Sequence, residues 1–135
     1  MALNELEERI IDSFTEALID DIRVKEDAAR KSAHVFFYFY KERLENKNLS
    51  LHKRLPEIWR GMKALGIEPY IEGCSILKGL TRWQEKIYEE FDSLAIGVGV
   101  GVEKKLFNTL EGGTKYSLSA KGIDFIDRQG YERID

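Results

Sequence analysis

One cysteine, two prolines and two histidines are all that this 135-residue chain has of those residues. The lone Cys74 excludes an intrachain disulfide and fits a reducing compartment, so a cytoplasmic location is expected. One Cys and two His cannot make the four-ligand set of a zinc finger without carboxylates. With so little proline and no Ser/Gly-rich spacer, no flexible linker divides the chain, and no internal repeat is visible. No apolar run approaches the roughly 20 residues that span a bilayer. The first residues, MALNELEERII, are acidic and amphipathic, which is not the pattern of a secretory signal, and no membrane partner is expected. Nucleotide-binding loop motifs are also missing. There is no Gly-Lys-Ser/Thr, and the run IGVGVGV puts Val102 where a dinucleotide fingerprint needs its third glycine. No cofactor or metal is therefore expected.

What is present suits a folded chain: 43% hydrophobic and 33% charged residues indicate one domain over residues 1–135. Residues 3–23 read as an amphipathic helix, with Leu3, Leu6, Ile10, Phe14, Leu18 and Ile22 on one stripe. That stripe must cover either the protein's own core or a second subunit, so a homo-oligomer or protein partner through this helix is one expectation. A helical core over 25–95 follows. The run Val35-Phe36-Phe37-Tyr38-Phe39-Tyr40 is apolar all round and fits the buried centre of the domain. Strong helix formers flank it, which favours helix over buried strand. Asn46-Lys47-Asn48 breaks the pattern, Pro56 opens a third helix and Gly66 closes it. Cys74-Ser75-Ile76-Leu77 suits a short strand. Thr81 and Gln84 form a capping box for a fourth helix, ended by Gly97. Val98, Val100 and Val102 then alternate with glycines, which reads as a strand with one bare face.

The hairpin and terminal helix occupy 98–130. Gly112-Gly113 predicts a two-residue turn between alternating runs. Ser119 is a helix N-cap, with Leu118 and Ile123 at the positions of a hydrophobic staple. The stretch Tyr116-Ser117-Leu118-Ser119-Ala120-Lys121-Gly122 resembles the end of the wing in winged-helix transcription regulators, where the second wing strand meets the last helix. The resemblance covers about the last fifth of the chain. It implies a mainly α fold of about four to five helices with a small C-terminal β-hairpin, winged-helix-like α+β, and a role in binding double-stranded DNA. Against it stands the long stretch Gly66–Thr81, since a helix-turn-helix joins its helices by about three to four residues. Glu85, Glu89 and Glu90 also make the fourth helix a poor one to lay against phosphates.

Charge is distributed unevenly along a chain whose net is −3. Residues 1–22 hold seven acids and one base, 23–63 hold eleven bases and five acids, and 64–135 hold nine bases and twelve acids. The basic block either faces an anion or pairs with acids of its own chain or a partner. Candidate phosphate contacts are Arg30, Lys31, Lys53, Arg54, Arg60 and Lys63, with Lys104, Lys105 and Lys115 on the hairpin. Catalytic candidates are absent. His34 lies on the most apolar helix and suits a buried, hydrogen-bonded ring, His52 suits a solvated loop, and Cys74 has no base beside it. Two functions remain open. One is a small DNA-binding regulator. The other is a non-catalytic protein-interaction or ligand-sensing module whose aromatic cluster, with Trp59 and Trp83, could line a pocket.

Overall fold

The computed structural model describes residues 3–45, 52–72, 79 and 81–134, the last five of these by backbone alone. The expected break at 46–48 and the expected short strand at 74–77 lie outside the described residues. Among those described, five helices and one hairpin follow in order: α1 (Glu5–Asp20), α2 (Glu26–Glu45), α3 (Leu55–Ala64), α4 (Arg82–Glu103), β1 (Phe107–Leu110), β2 (Lys115–Leu118) and α5 (Ala120–Ile134). The fold is mainly α with a small antiparallel hairpin. No described helix is long and apolar enough to cross a membrane.

The central element is α2, and its aromatic run explains why. Val35 through Tyr40 are all buried, so the helix needs neighbours on every side. α1 covers one side and α4 another. Phe36 stacks on Phe107 of β1 with ring centroids 4.9 Å apart, and Phe125 of α5 lies 5.4 Å from the same ring. Phe14 of α1 meets Tyr40 edge-on at 5.8 Å. Val35 to Tyr40 are thus core, whereas Trp59 is half-buried and Trp83 exposed. The apolar stripe of α1 goes into the same core through Ile10, Phe14 and Leu18, against α2 and α5, and Leu6 remains exposed. Lys41 to Glu7 at 3.0 Å and Arg43 to Asp127 at 3.0 Å tie α1 and α5 to α2.

Local signals set several helix ends. Thr81 Oγ1 accepts from Gln84 N at 3.2 Å and Gln84 Oε1 accepts from Thr81 N at 2.9 Å, which is the expected capping box. Pro56 sits in the first turn of α3. At its end, the Gly66 amide donates to the Lys63 carbonyl and the Ile67 amide to the Met62 carbonyl, with Ile67 and Met62 both fully buried, as in a Schellman motif.

Two local readings are corrected. Residues 97–102 are helix, the last turns of α4, and form no strand. Glycine and valine alternate there, but burial does not: Gly97, Val98 and Gly101 are buried and Gly99 is exposed, which is helical spacing. Gly97 is where α4 crosses α2, so closely that an added Cβ would lie 2.7 Å from the Lys31 carbonyl oxygen. Ser32 Oγ donates to the Gly97 carbonyl across that crossing at 2.9 Å. The bare face serves helix–helix approach. The hairpin turn is also longer than two residues. Leu110 pairs with Lys115, leaving Glu111 to Thr114 as the connection. Glu111, Gly112 and Gly113 all have positive φ, and the Leu110 carbonyl accepts from both Gly113 and Thr114 amides, which closes the ladder one pair early.

Candidate nucleic-acid interface

The hairpin is held at its root by α4 and α5. Lys104 and Lys105 end α4, and Lys105 takes a left-handed φ of 62° that redirects the chain into β1. The Leu106 amide donates to the Gly101 carbonyl at 2.7 Å, fixing this exit. At the other strand's end Ser119 caps α5, its hydroxyl accepting from the Gly122 amide at 3.0 Å and donating to the Lys105 carbonyl at 2.7 Å. Gly122 lies directly against the Leu106 carbonyl, where a side chain would collide. The serine and glycine of the motif Tyr116–Gly122 therefore lock the second strand and α5 onto the end of α4.

A single backbone bridge joins the segment before α3 to the hairpin. Lys53 pairs antiparallel with Tyr116, each amide donating to the other's carbonyl at 2.8 Å. An isolated two-stranded hairpin is marginal in water. The segment before α3 thus steadies it, and brings Lys53 and Arg54 beside Lys115. Sequence reading could not find this contact, since it joins residues 63 positions apart, as the numbers of Lys53 and Tyr116 give.

The basic candidates sort into distinct settings. At the hairpin tip Glu111 accepts from Arg54 at 2.8 Å and pairs with Lys115 at 3.1 Å. The Lys115 hydrogen bond is the largest cause holding the Glu111 carboxyl below its ordinary range. Lys53 lies over the Tyr38 ring, 5.4 Å from its centroid. At the root, Lys104, Lys105 and a lysine absent from the expected set, Lys121, come together. The Lys121 ammonium donates to the Lys104 carbonyl at 3.2 Å. Residues 104–121 carry four lysines against one acid, in a chain whose net charge is −3.

The remaining candidates do not join them. Lys31 is buried, only 2% exposed, and paired to Asp27 at 3.3 Å, so no phosphate reaches it. Arg30 pairs with Glu26 at 3.2 Å. Arg60 is exposed on α3. Lys63 bonds Glu68 at 2.8 Å and buried Glu90 at 2.9 Å. Burial lowers the Lys63 ammonium, but these carboxylates outweigh it and hold it above its ordinary range. The basic block thus pairs mostly with acids of its own chain, and those acids lie on α1, α2, α4 and α5, at the tip and beyond α3.

The fourth helix differs from its composition. Glu90 is buried, accepting from Lys63 and from the Trp59 indole at 2.9 Å. Glu85 and Glu89 are half-buried. The exposed residues of its first turns are Arg82, Trp83, Gln84 and Lys86, with Trp83 72% exposed. Residues 66–72 of the connector before it are not helical.

His34 is hydrogen-bonded, as expected, its Nδ1 lying 2.6 Å from the Arg30 carbonyl. Burial, the largest cause, lowers its pKa below the ordinary 6.5. Among the described residues no group of His, Cys, Asp and Glu is arranged to hold a metal ion.

No family model matches the sequence, and no solved structure matches it. Among curated proteins, the inactive disease susceptibility protein LOV1 of Arabidopsis thaliana is 32% identical over 103 residues, a stretch that is 73% of this chain and 11% of that protein. The chain thus spans about a tenth of the length of this relative.

Proposed function

We propose that this chain is a winged-helix-like DNA-binding regulator whose hairpin, β1–β2, meets the phosphate backbone. The observation that carries the reading is the anchored, basic hairpin: two strands bridged to Lys53, with Arg54 and Lys115 towards the tip and Lys104, Lys105 and Lys121 at the root. A hairpin fixed at both ends keeps these cations in place without ordering a loop on binding, which lowers the entropic cost of contact. The exposed first turns of α4, with Arg82 and Lys86, add positive charge and lack the exposed glutamates that its composition suggests. The second strand running directly into a serine-capped α5 is the junction on which the winged-helix resemblance rests.

The test is duplex DNA binding over a range of salt. Binding at low salt should fall steeply as salt rises. Reversing Lys104, Lys105 and Lys115 to Glu together should weaken it without changing the helical circular dichroism. Each lost phosphate contact reduces the log–log salt slope by about 0.9, so three lost contacts reduce it by about 2.7. A wild-type chain that ignores DNA at low salt, or a triple variant with unchanged affinity and slope, overturns the reading. In that case Trp83 and Leu110, exposed by 72% and 46%, favour the second reading, a protein-interaction module.

A further inference from the structure

A cavity of about 460 Å³ opens between α1, α2 and the segment 66–70, away from the residues assigned to the hairpin interface. Its size falls within the roughly 300–1,000 Å³ of small-molecule sites. Leu3, just before α1, and Ile11 of α1 give it apolar wall. Tyr70 and His34 stack across it with ring centroids 6.1 Å apart and planes 23° from parallel.

We propose that this cavity binds an aliphatic polyamine. Glu8 and Asp12 line it, one helical turn apart on α1, and neither has a cationic partner among the described residues. Glu68 lines it from the connector, its charge shared with Lys63 at 2.8 Å. Among the described lining residues the one cation, Arg30, is already paired to Glu26 and lies 5.9 Å from the centre of the Tyr70 ring. Carboxylates on two separate segments, not grouped for one metal ion, suit a ligand whose positive charges are spaced along a chain. The methylenes of such a chain suit Leu3, Ile11 and the Tyr70 face, and its ammonium groups suit both the carboxylates and the ring. The Arg30 carbonyl can only accept, so His34 Nδ1 carries the proton and Nε2 is left as an acceptor for an ammonium N–H. Burial favours the neutral imidazole, outweighing the Asp12 carboxylate that favours its protonation.

Isothermal titration of the full chain with spermidine tests this, independently of DNA. We expect one saturable site, with His34 and Tyr70 ring resonances shifting during the titration. Neutralising Glu8→Gln with Asp12→Asn should weaken binding at least tenfold. Both side chains are exposed, so the fold does not depend on them. The control pair Glu45→Gln with Glu103→Gln removes the same charge outside the cavity and should leave affinity unchanged. Equal weakening in both pairs, equal competition by magnesium, or a titration without saturation would each mean diffuse counterion binding and overturn the proposal.

Discussion

Alanine at Gly97 and alanine at Gly99 should have opposite effects, although the two positions are two residues apart on α4. Alanine is favoured over glycine in a helix interior by about 1 kcal/mol. At Gly99 nothing lies within 4 Å of an added Cβ, so Gly99→Ala should stabilise by about 0.5–1 kcal/mol. At Gly97 the new Cβ would lie 2.7 Å from the Lys31 carbonyl oxygen and 3.1 Å from the Ser32 Cα. Both are backbone atoms of α2 and cannot rotate away. Overpacking of this kind costs about 1–3 kcal/mol or more. Separating the helices also strains the Ser32–Gly97 hydrogen bond, worth about 1 kcal/mol. After the gain in propensity, Gly97→Ala should destabilise by about 1–3 kcal/mol. Urea unfolding of both variants and the parent measures the spread, about 1.5–4 kcal/mol between the variants by the same reasoning. If the two variants shift the midpoint in the same direction, the helical assignment of 97–102 is wrong. In a strand these glycines share one face and would respond alike.

Two further outcomes follow from buried polar groups. Burial holds His34 below its ordinary pKa of 6.5, so the unfolded chain takes up the proton first as pH falls. Its contribution is complete above pH 6.5 and is lost as pH drops below that value. Stability measured between pH 7.5 and 5.5 should therefore fall more in the parent than in His34→Gln, and equal slopes would refute this. Glu90→Gln keeps an acceptor for the Trp59 indole but removes the charge facing Lys63. It should cost about 1–3 kcal/mol, the range for a hydrogen bond to a charged group. The full penalty of breaking a buried ion pair is not expected, because Lys63 is 29% exposed and keeps Glu68. A neutral urea midpoint would mean that Glu90 and Lys63 are solvated.

The parts of the fold legible in the sequence are those set by neighbours in the chain. The Thr81–Gln84 box, Pro56, Gly66 and the Ser119 cap each satisfy backbone groups within a few residues, so their signals are local. The aromatic run of α2 was readable as buried because every face of the helix is apolar. Residues 97–102 misled because alternation was in residue type and not in burial. Gly97 is small for the α2 crossing and Gly101 for Phe107, four residues apart. The two-residue turn misled because Gly112-Gly113 takes positive φ equally well inside a longer connection, and Glu111 joins them there. The pairing of Lys53 with Tyr116 carries no sequence signal at all, since any residue can supply its backbone.

Charge was legible only as totals, and a binding surface depends on which charges a partner can reach. Lys31 counts as a base in the sequence but is sealed beneath Asp27. Glu90 counts as an acid on α4 but spends its two oxygens on Lys63 and Trp59. Removing such pairs from both sides leaves the net charge almost unchanged and changes the surface considerably. On α4 it shifts the exposed first turns towards Arg82 and Lys86. At the hairpin it leaves one acid, Glu111, between Arg54 and Lys115, while at the root the Lys121 ammonium donates to the Lys104 carbonyl. An acidic chain can in this way carry a basic face, provided its excess carboxylates lie elsewhere. On this chain they lie largely on α1, whose Glu8 and Asp12 face the cavity and whose Glu5, Glu16 and Asp20 are exposed.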